Sequence, residues 1–167
     1  MSHAAKFLLV AAALACSQGA WARSSDRNKE MLIDAGATSG TLDDRQPTVL
    51  SGGVTIRQGT LDVRSSTATV TTRNGDPVRA VLKGGPVRLT QEMDDGTRMT
   101  ATGNNVDYDL VTEVVVFSGN VNIEQPRGSL RGERVVYNMK TGQVNSGGPG
   151  QGRVQMRIAP RASRGGN

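Results

Sequence analysis

The chain has 167 residues, enough for one domain of ordinary size, and carries 20 Lys and Arg against 15 Asp and Glu for a formal net charge of +5. Its only His is His3 and its only Cys is Cys16. Beyond those two positions there is no thiol nucleophile, imidazole base, disulfide or ordinary zinc site; a catalytic carboxylate pair stays open, but the acidic residues sit mostly at turns, as in Asp43-Asp44 and Asp94-Asp95, so neither an enzyme nor a metal site is expected.

In chain order, the first element is a targeting segment. His3 and Lys6 form a short basic region, Phe7 to Ala15 is an unbroken apolar run, and Ala20-Trp21-Ala22 fits a small-x-small cleavage pattern. A secretory signal peptide is predicted over 1–22, cleaved after Ala22, because the run is too short to span a bilayer. Ala13-Leu14-Ala15-Cys16 loosely resembles a bacterial lipidation site. That pattern prefers Leu three residues before the Cys, so Cys16 is read as part of the discarded segment. No later stretch is apolar enough to cross a membrane, and the mature chain is expected to be soluble.

Residues 23–30 are polar and expected to be mobile. From Met31 onward, short runs of Val, Ile, Leu, Thr and Tyr alternate with polar residues. Turn signals interrupt them every ~8–12 residues, as in an all-β domain: Asn74-Gly75-Asp76-Pro77, Gly84-Gly85-Pro86, Asp94-Asp95-Gly96, Gly103-Asn104-Asn105, Ser118-Gly119-Asn120 and Thr141-Gly142. One domain is expected over 31–145. A Gly- and Arg-rich basic tail follows over 146–167, with a last strand predicted at Val154 to Ile158. Residues 134–167 carry Arg134, Lys140, Arg153, Arg157, Arg161 and Arg164 and no acid. Arg outnumbers Lys 16 to 4 over the whole chain, and guanidinium forks match phosphate geometry, so an anionic partner is one reading of the excess. Solubility is the plainer reading.

Two phrases repeat. Leu50 to Gln58 (LSGGVTIRQ) returns as Phe117 to Gln125 (FSGNVNIEQ), with five of nine positions identical. Leu50, Val54 and Ile56 share one side of the first copy, and Phe117, Val121 and Ile123 one side of the second. A ten-residue unit also recurs: Leu61-x-Val63-x-x-Ser66-x-Ala68-x-Val70, Ala101-x-Gly103-x-x-Val106-x-Tyr108-x-Leu110 and Leu130-x-Gly132-x-x-Val135-x-Tyr137-x-Met139. Its parity changes in the middle, which predicts a strand, a bulge or turn after the third residue, and a second strand. Such a unit cannot bury its apolar side alone, so stacked neighbours must share one elongated core.

The alternation places Leu50, Val54, Ile56, Leu61, Val63, Val70, Leu89, Met99, Val106, Tyr108, Phe117, Val121, Ile123, Leu130 and Tyr137 on that inner face. They serve either as plain core or as the wall of an apolar trough, since the aromatics beyond the signal segment are few: Tyr108, Phe117 and Tyr137. An open stack also leaves two sheet edges to be protected or paired with another chain. Met31-Leu32-Ile33 and Val154 to Ile158 are the candidate edges. A nucleic-acid binder is disfavoured by the export signal, the lack of stacking aromatics and charge gathered in a Gly-rich end. A purely structural β-stack stays open.

SGNVNIEQ followed by GSLRGERVVYNMKTGQV resembles the repeat of the OstA-like lipopolysaccharide-transport domain family, through Gly119, Val121, Ile123, Gln125, Gly132, Val135 and Tyr137. Gly52, Val54, Ile56, Gln58 and Leu61 carry the first copy, and Met31-Leu32-Ile33-Asp34 is similar to the family's opening strand. The resemblance covers about residues 31–142. It implies a twisted, open β-jelly roll of stacked antiparallel strands whose hydrophobic groove shelters the acyl chains of lipopolysaccharide (lipid A), without catalysis or cofactor. It also implies a periplasmic protein joined head to tail to copies of itself, and to the OstA-like domains of the inner- and outer-membrane transport proteins, so bridging the two membranes. Met31 and Ile33 would then belong to the docking edge. Arg73 matches a basic position near a strand end and would meet a phosphate or a partner carboxylate, unless it is simply a solvated turn residue. A membrane-anchored inner-membrane partner of the same fold is the nearest alternative.

Overall fold

Alternating aliphatic and polar residues resolve into ten strands: β1 (Met31–Ser39), β2 (Thr48–Gln58), β3 (Leu61–Ser65), β4 (Thr67–Arg73), β5 (Asp76–Glu92), β6 (Arg98–Asp109), β7 (Val114–Gln125), β8 (Gly128–Asn138), β9 (Val144–Ser146) and β10 (Gln155–Ile158). This computed structural model describes residues 26, 28–41, 46–141, 143–148, 150 and 152–160. The apolar run, Cys16 and the cleavage site expected after Ala22 lie outside the described residues, as do Arg161 and Arg164. Among the described residues, no helix is long and apolar enough to cross a membrane.

All pairings are antiparallel, in the order β1-β2-β3-β5-β6-β7-β8-β10, with β4 also pairing β2 and β5, and β9 also pairing β8. That branching follows from bends. The long strands each turn a corner and contribute to two layers, while β3 and β4 are two halves of one such path. Register shifts mark the corners: at Gly36 of β1, between Lys83 and Val87 of β5, between Thr102 and Asn105 of β6, and between Ser118 and Val121 of β7. The first layer thus holds residues 37–39, 48–50, β4, 76–83, 105–109, 114–118, 134–138 and β9. The second holds 31–35, 54–58, β3, 87–92, 98–102, 121–125, 128–132 and β10.

The repeated phrase supplies the backbone these corners need. Gly52 (φ 76°), Gly53 (φ 84°), Gly119 (φ 75°) and Asn120 (φ 50°) are left-handed, a region favouring Gly and tolerated by Asn. At Gly52 the reason is also spatial: a Cβ there would come 3.2 Å from the Cα of the facing Gly36. In the ten-residue unit the bend comes beside Gly103 and Gly132, as expected. In the first copy it comes later, at Ser66. Val63 is buried and paired with Leu89, which keeps β3 straight to Ser65. Ser66 then bridges the corner, accepting from the Gly53 N–H (3.3 Å) and donating to the Lys83 carbonyl (2.9 Å).

Parity inverts across each corner, so aliphatic residues of both layers face one interior. Leu50, Val106, Phe117 and Val135 come from the first layer, Val54, Val87, Ala101 and Val121 from the second, and all belong to a single buried cluster. Phe117 and Val121 are 2% exposed and Val135 fully buried. Each such large side chain contributes about 1.5–3 kcal/mol by leaving water.

The polar segment before β1 holds one anchored residue that its composition does not suggest. Asp26 is 2% exposed. Its carboxylate accepts from the Thr60 N–H (2.8 Å), the Thr60 hydroxyl and the Lys29 ammonium (3.0 Å). Gln58 Nε2 donates to the Lys29 carbonyl (3.0 Å), fastening the segment to the β2–β3 turn. Burial opposes ionisation of Asp26, but the Thr60 and Lys29 hydrogen bonds outweigh it and hold the carboxyl below its ordinary value.

Candidate functional site

One row of the second layer crosses the whole sheet in register. Ile33 faces Ile56, Ile56 faces Val63, Val63 faces Leu89, Leu89 faces Ala101, Ala101 faces Ile123, Ile123 faces Leu130, and Leu130 faces Met156. All eight are apolar, so the row presents methyl and methylene groups with no polar interruption. At the usual spacing between neighbouring strands it runs about 34 Å. Its middle is buried, Ala101 completely, while its ends emerge: Ile33 is 45% exposed and Met156 66%. In the first layer Val70, Ala80, Tyr108, Val115, Tyr137 and Val144 form the facing row.

The fifteen inward residues expected from alternation all join this interior. Leu50, Val54, Ile56, Val63, Leu89, Met99, Val106, Phe117, Val121, Ile123 and Tyr137 are buried, and Leu61, Val70, Tyr108 and Leu130 are half-buried against them. Burial is common to plain packing and to a binding wall. What distinguishes this interior is that its apolar face continues into both open edges. At one edge β1 pairs only with β2, and Met31 and Ile33 stand in line with Gln58 and Ile56. Met31 is half-buried on the core, and Ile33 projects beyond it. At the other edge β9 and β10 pair only with β8. There a mouth of about 240 Å³ opens, lined by Ile123, Leu130, Val144, Met156 and Ile158 and rimmed by Gln125, Arg127 and Arg157. Six of the eight large hydrophobics exposed on the described surface lie at these two edges: Leu32, Ile33, Val144, Val154, Met156 and Ile158. Exposed apolar surface is therefore concentrated at the two edges of the roll, where the apolar interior runs out.

The inner-face set leaves out Ala80, Leu82, Val87, Met93 and Val115, and also Ala68, Ala101, Val135 and Met139, which the ten-residue unit names; all nine are buried in the same cluster. The three alanines keep the parity of their inward neighbours, but small size kept them out of the set. Met156 and Ile158 fall in the stretch named as a candidate edge, whereas Val144, close in sequence to Gly142 and Gly147, is not singled out. Arg73 stands exposed at the end of β4, opposite Asp76 across the Asn74-Gly75 turn, outside the buried apolar cluster. No three His, Cys, Asp or Glu side chains among the described residues gather to hold a metal ion.

The architecture is thus an all-β roll of antiparallel strands whose apolar interior reaches both open edges. The family model described as LptA/(LptD N-terminal domain) LPS transport protein matches residues 34–143, and the chain belongs to that family. It is similar to lipopolysaccharide export system protein LptA of Haemophilus influenzae, 25% identical over 158 residues covering 93% of this chain and 91% of that one. Lipopolysaccharide export system protein LptH of Pseudomonas aeruginosa is 30% identical over 134 residues, covering 78% and 75%. The crystal structure of LptH, described as the LptA homologous periplasmic component of the conserved lipopolysaccharide transport device, superposes with a TM-score of 0.71 at 25% identity, covering 81% of this chain and 99% of that one.

Proposed function

We propose that this protein is a periplasmic carrier that shelters the lipid A acyl chains of lipopolysaccharide in its channel on the way to the outer membrane, bridging the two membranes. The observation that carries the reading is the uninterrupted apolar row from Ile33 to Met156. Burying acyl chains there is favourable by about 25 cal/mol per Å² of apolar area. A wall of methyl groups makes no directional bonds, so a guest can slide without sticking. The sugars would stay in water beyond the turns.

The two edges suit end-to-end assembly. Unpaired backbone on β1 can add to the β9 and β10 edge of a second copy, or to an OstA-like domain of a membrane partner, by strand addition. Exposed Ile33 would then meet Met156 or Ile158, burying apolar surface at the joint and making the channel continuous. Arg73 is exposed where a phosphate or a partner carboxylate could reach it. The work would be transport, with no catalysis and no cofactor.

A photo-crosslinking residue tests this directly. At Ile56 it should label lipopolysaccharide, and at Thr55, one residue along on the opposite face, it should not. Labelling from Thr55 alone would overturn the reading.

A further inference from the structure

The outer face of the second layer carries an arrangement that the channel does not explain. Arg64 of β3 and Arg88 of β5 are direct cross-strand partners. Like charges placed opposite one another destabilise a sheet, so a compensating group is expected nearby. Asp62 accepts from Arg57 Nε (3.2 Å) and Arg64 Nε (3.0 Å), so its two oxygens are already divided between two arginines. Burial of Asp62 opposes its ionisation, but hydrogen bonds from Arg64 and Arg57 prevail and keep it charged. Among the described residues, Arg88 has no carboxylate partner. These groups line an outward cleft of about 680 Å³, with Thr90 beside Arg88, Arg98 at the far end and Pro86 as an apolar wall. Glu92 also lines it and limits its positive character on that side.

We infer that this cleft is an anion site for a phosphate group, held between the free ends of the Arg64 and Arg88 guanidinium forks with the Thr90 hydroxyl as a further donor. The chemistry is that of charge-assisted hydrogen bonding from two planar forks to a tetrahedral oxyanion. Because Asp62 engages Arg64 through Nε, the terminal nitrogens remain for the ligand. A dianion between the forks replaces the Arg64–Arg88 repulsion with two attractions. The site lies on the opposite face of the sheet from the apolar row, so it needs no lipid in the channel. The phosphate can come from a free phosphomonoester or from a lipid headgroup.

The test uses the full mature chain at constant ionic strength, because such contacts are screened by salt. Amide resonances are followed during titration with sodium phosphate. Residues 64, 88 and 90 should shift saturably. Arg88→Gln, a change on an exposed strand face that should leave folding intact, should weaken binding by about tenfold or more. Lys83→Gln, on the outer face of the other layer, should leave it unchanged. Co-sedimentation with phosphatidylglycerol–phosphatidylcholine vesicles then separates the sources. Retention lost in Arg88→Gln assigns a headgroup, and phosphate shifts without vesicle retention assign a free phosphate. No saturable shift with phosphate and no Arg88-dependent retention overturns the site. So does equal weakening by Lys83→Gln, which would mean diffuse charge.

Discussion

The two layers of the roll are alike inside and unlike outside. Inside, both present aliphatic rows that share one cluster. Outside, the second layer shows Arg57, Arg64, Arg88, Arg98, Arg131 and Arg157, whereas the first has fewer cations (Arg79, Lys83 and Arg134) and sets Val49, Val81, Val116 and Val136 in one register row, with Thr69 and Asp107 between them. Inner faces answer to each other, because they must fill a common interior at constant density. Outer faces have no such mutual constraint, so a difference between them reports what each side meets. The inner pattern therefore speaks to the fold and its apolar interior, and the outer pattern to separate contacts.

Substitutions can break this comparison, and the largest effect is expected inside. Phe117→Ala should cost about 3–5 kcal/mol in urea unfolding, through lost transfer and a cavity. Its neighbour Val116→Ala, facing outward on the same strand, should cost less than about 1 kcal/mol. Equal costs would mean the faces are not distinct.

The β2–β3 turn comes next. Asp26→Ala leaves the Thr60 N–H without its acceptor and should cost about 1–3 kcal/mol. The folded carboxyl is held below the unfolded value of 3.8. Its contribution is therefore fully present above that pH and drains away as pH falls through the lowered folded value. Asp26→Asn should lose stability at neutral pH and flatten this part of the acid limb. Gly59→Ala should cost about 1–2 kcal/mol, because φ is 60° and the new Cβ would collide with the Asp26 carboxylate. A sizeable loss from Gly59→Ala that vanishes in an Asp26→Ala background would confirm that the collision dominates.

The smallest effect sharpens the outer contrast. Arg88→Gln should leave the urea midpoint unchanged or slightly raised, since it relieves a like-charge pair. A clear loss would show that Arg88 already has a stabilising partner in the free protein.

Much of this was legible in the sequence, and the reasons are local. Period-two alternation exposed the inner faces, and the Ser118-Gly119-Asn120 signal marked a corner because left-handed backbone favours Gly and Asn. Asn74-Gly75, at φ 54° and 84°, is the two-residue hairpin turn its sequence suggests. What stayed hidden depends on long-range register. That Ala101 lies between Leu89 and Ile123, or Arg64 opposite Arg88, requires knowing which strands are neighbours. Asp26 stayed hidden because its partner, Thr60, is 34 residues away. Val154 to Ile158 is legible as a candidate edge, but that Met156 joins the apolar row follows only from its pairing with Leu130.

The central claim is a channel continuous from one edge to the other. Photo-crosslinkers at Ile33 and Met156, the two ends of the apolar row, test it in cells making lipopolysaccharide. The account predicts that both positions label lipopolysaccharide while Asn122, on the outer face near the middle, does not. Labelling at one end only, with the other silent, would contradict a through-running channel.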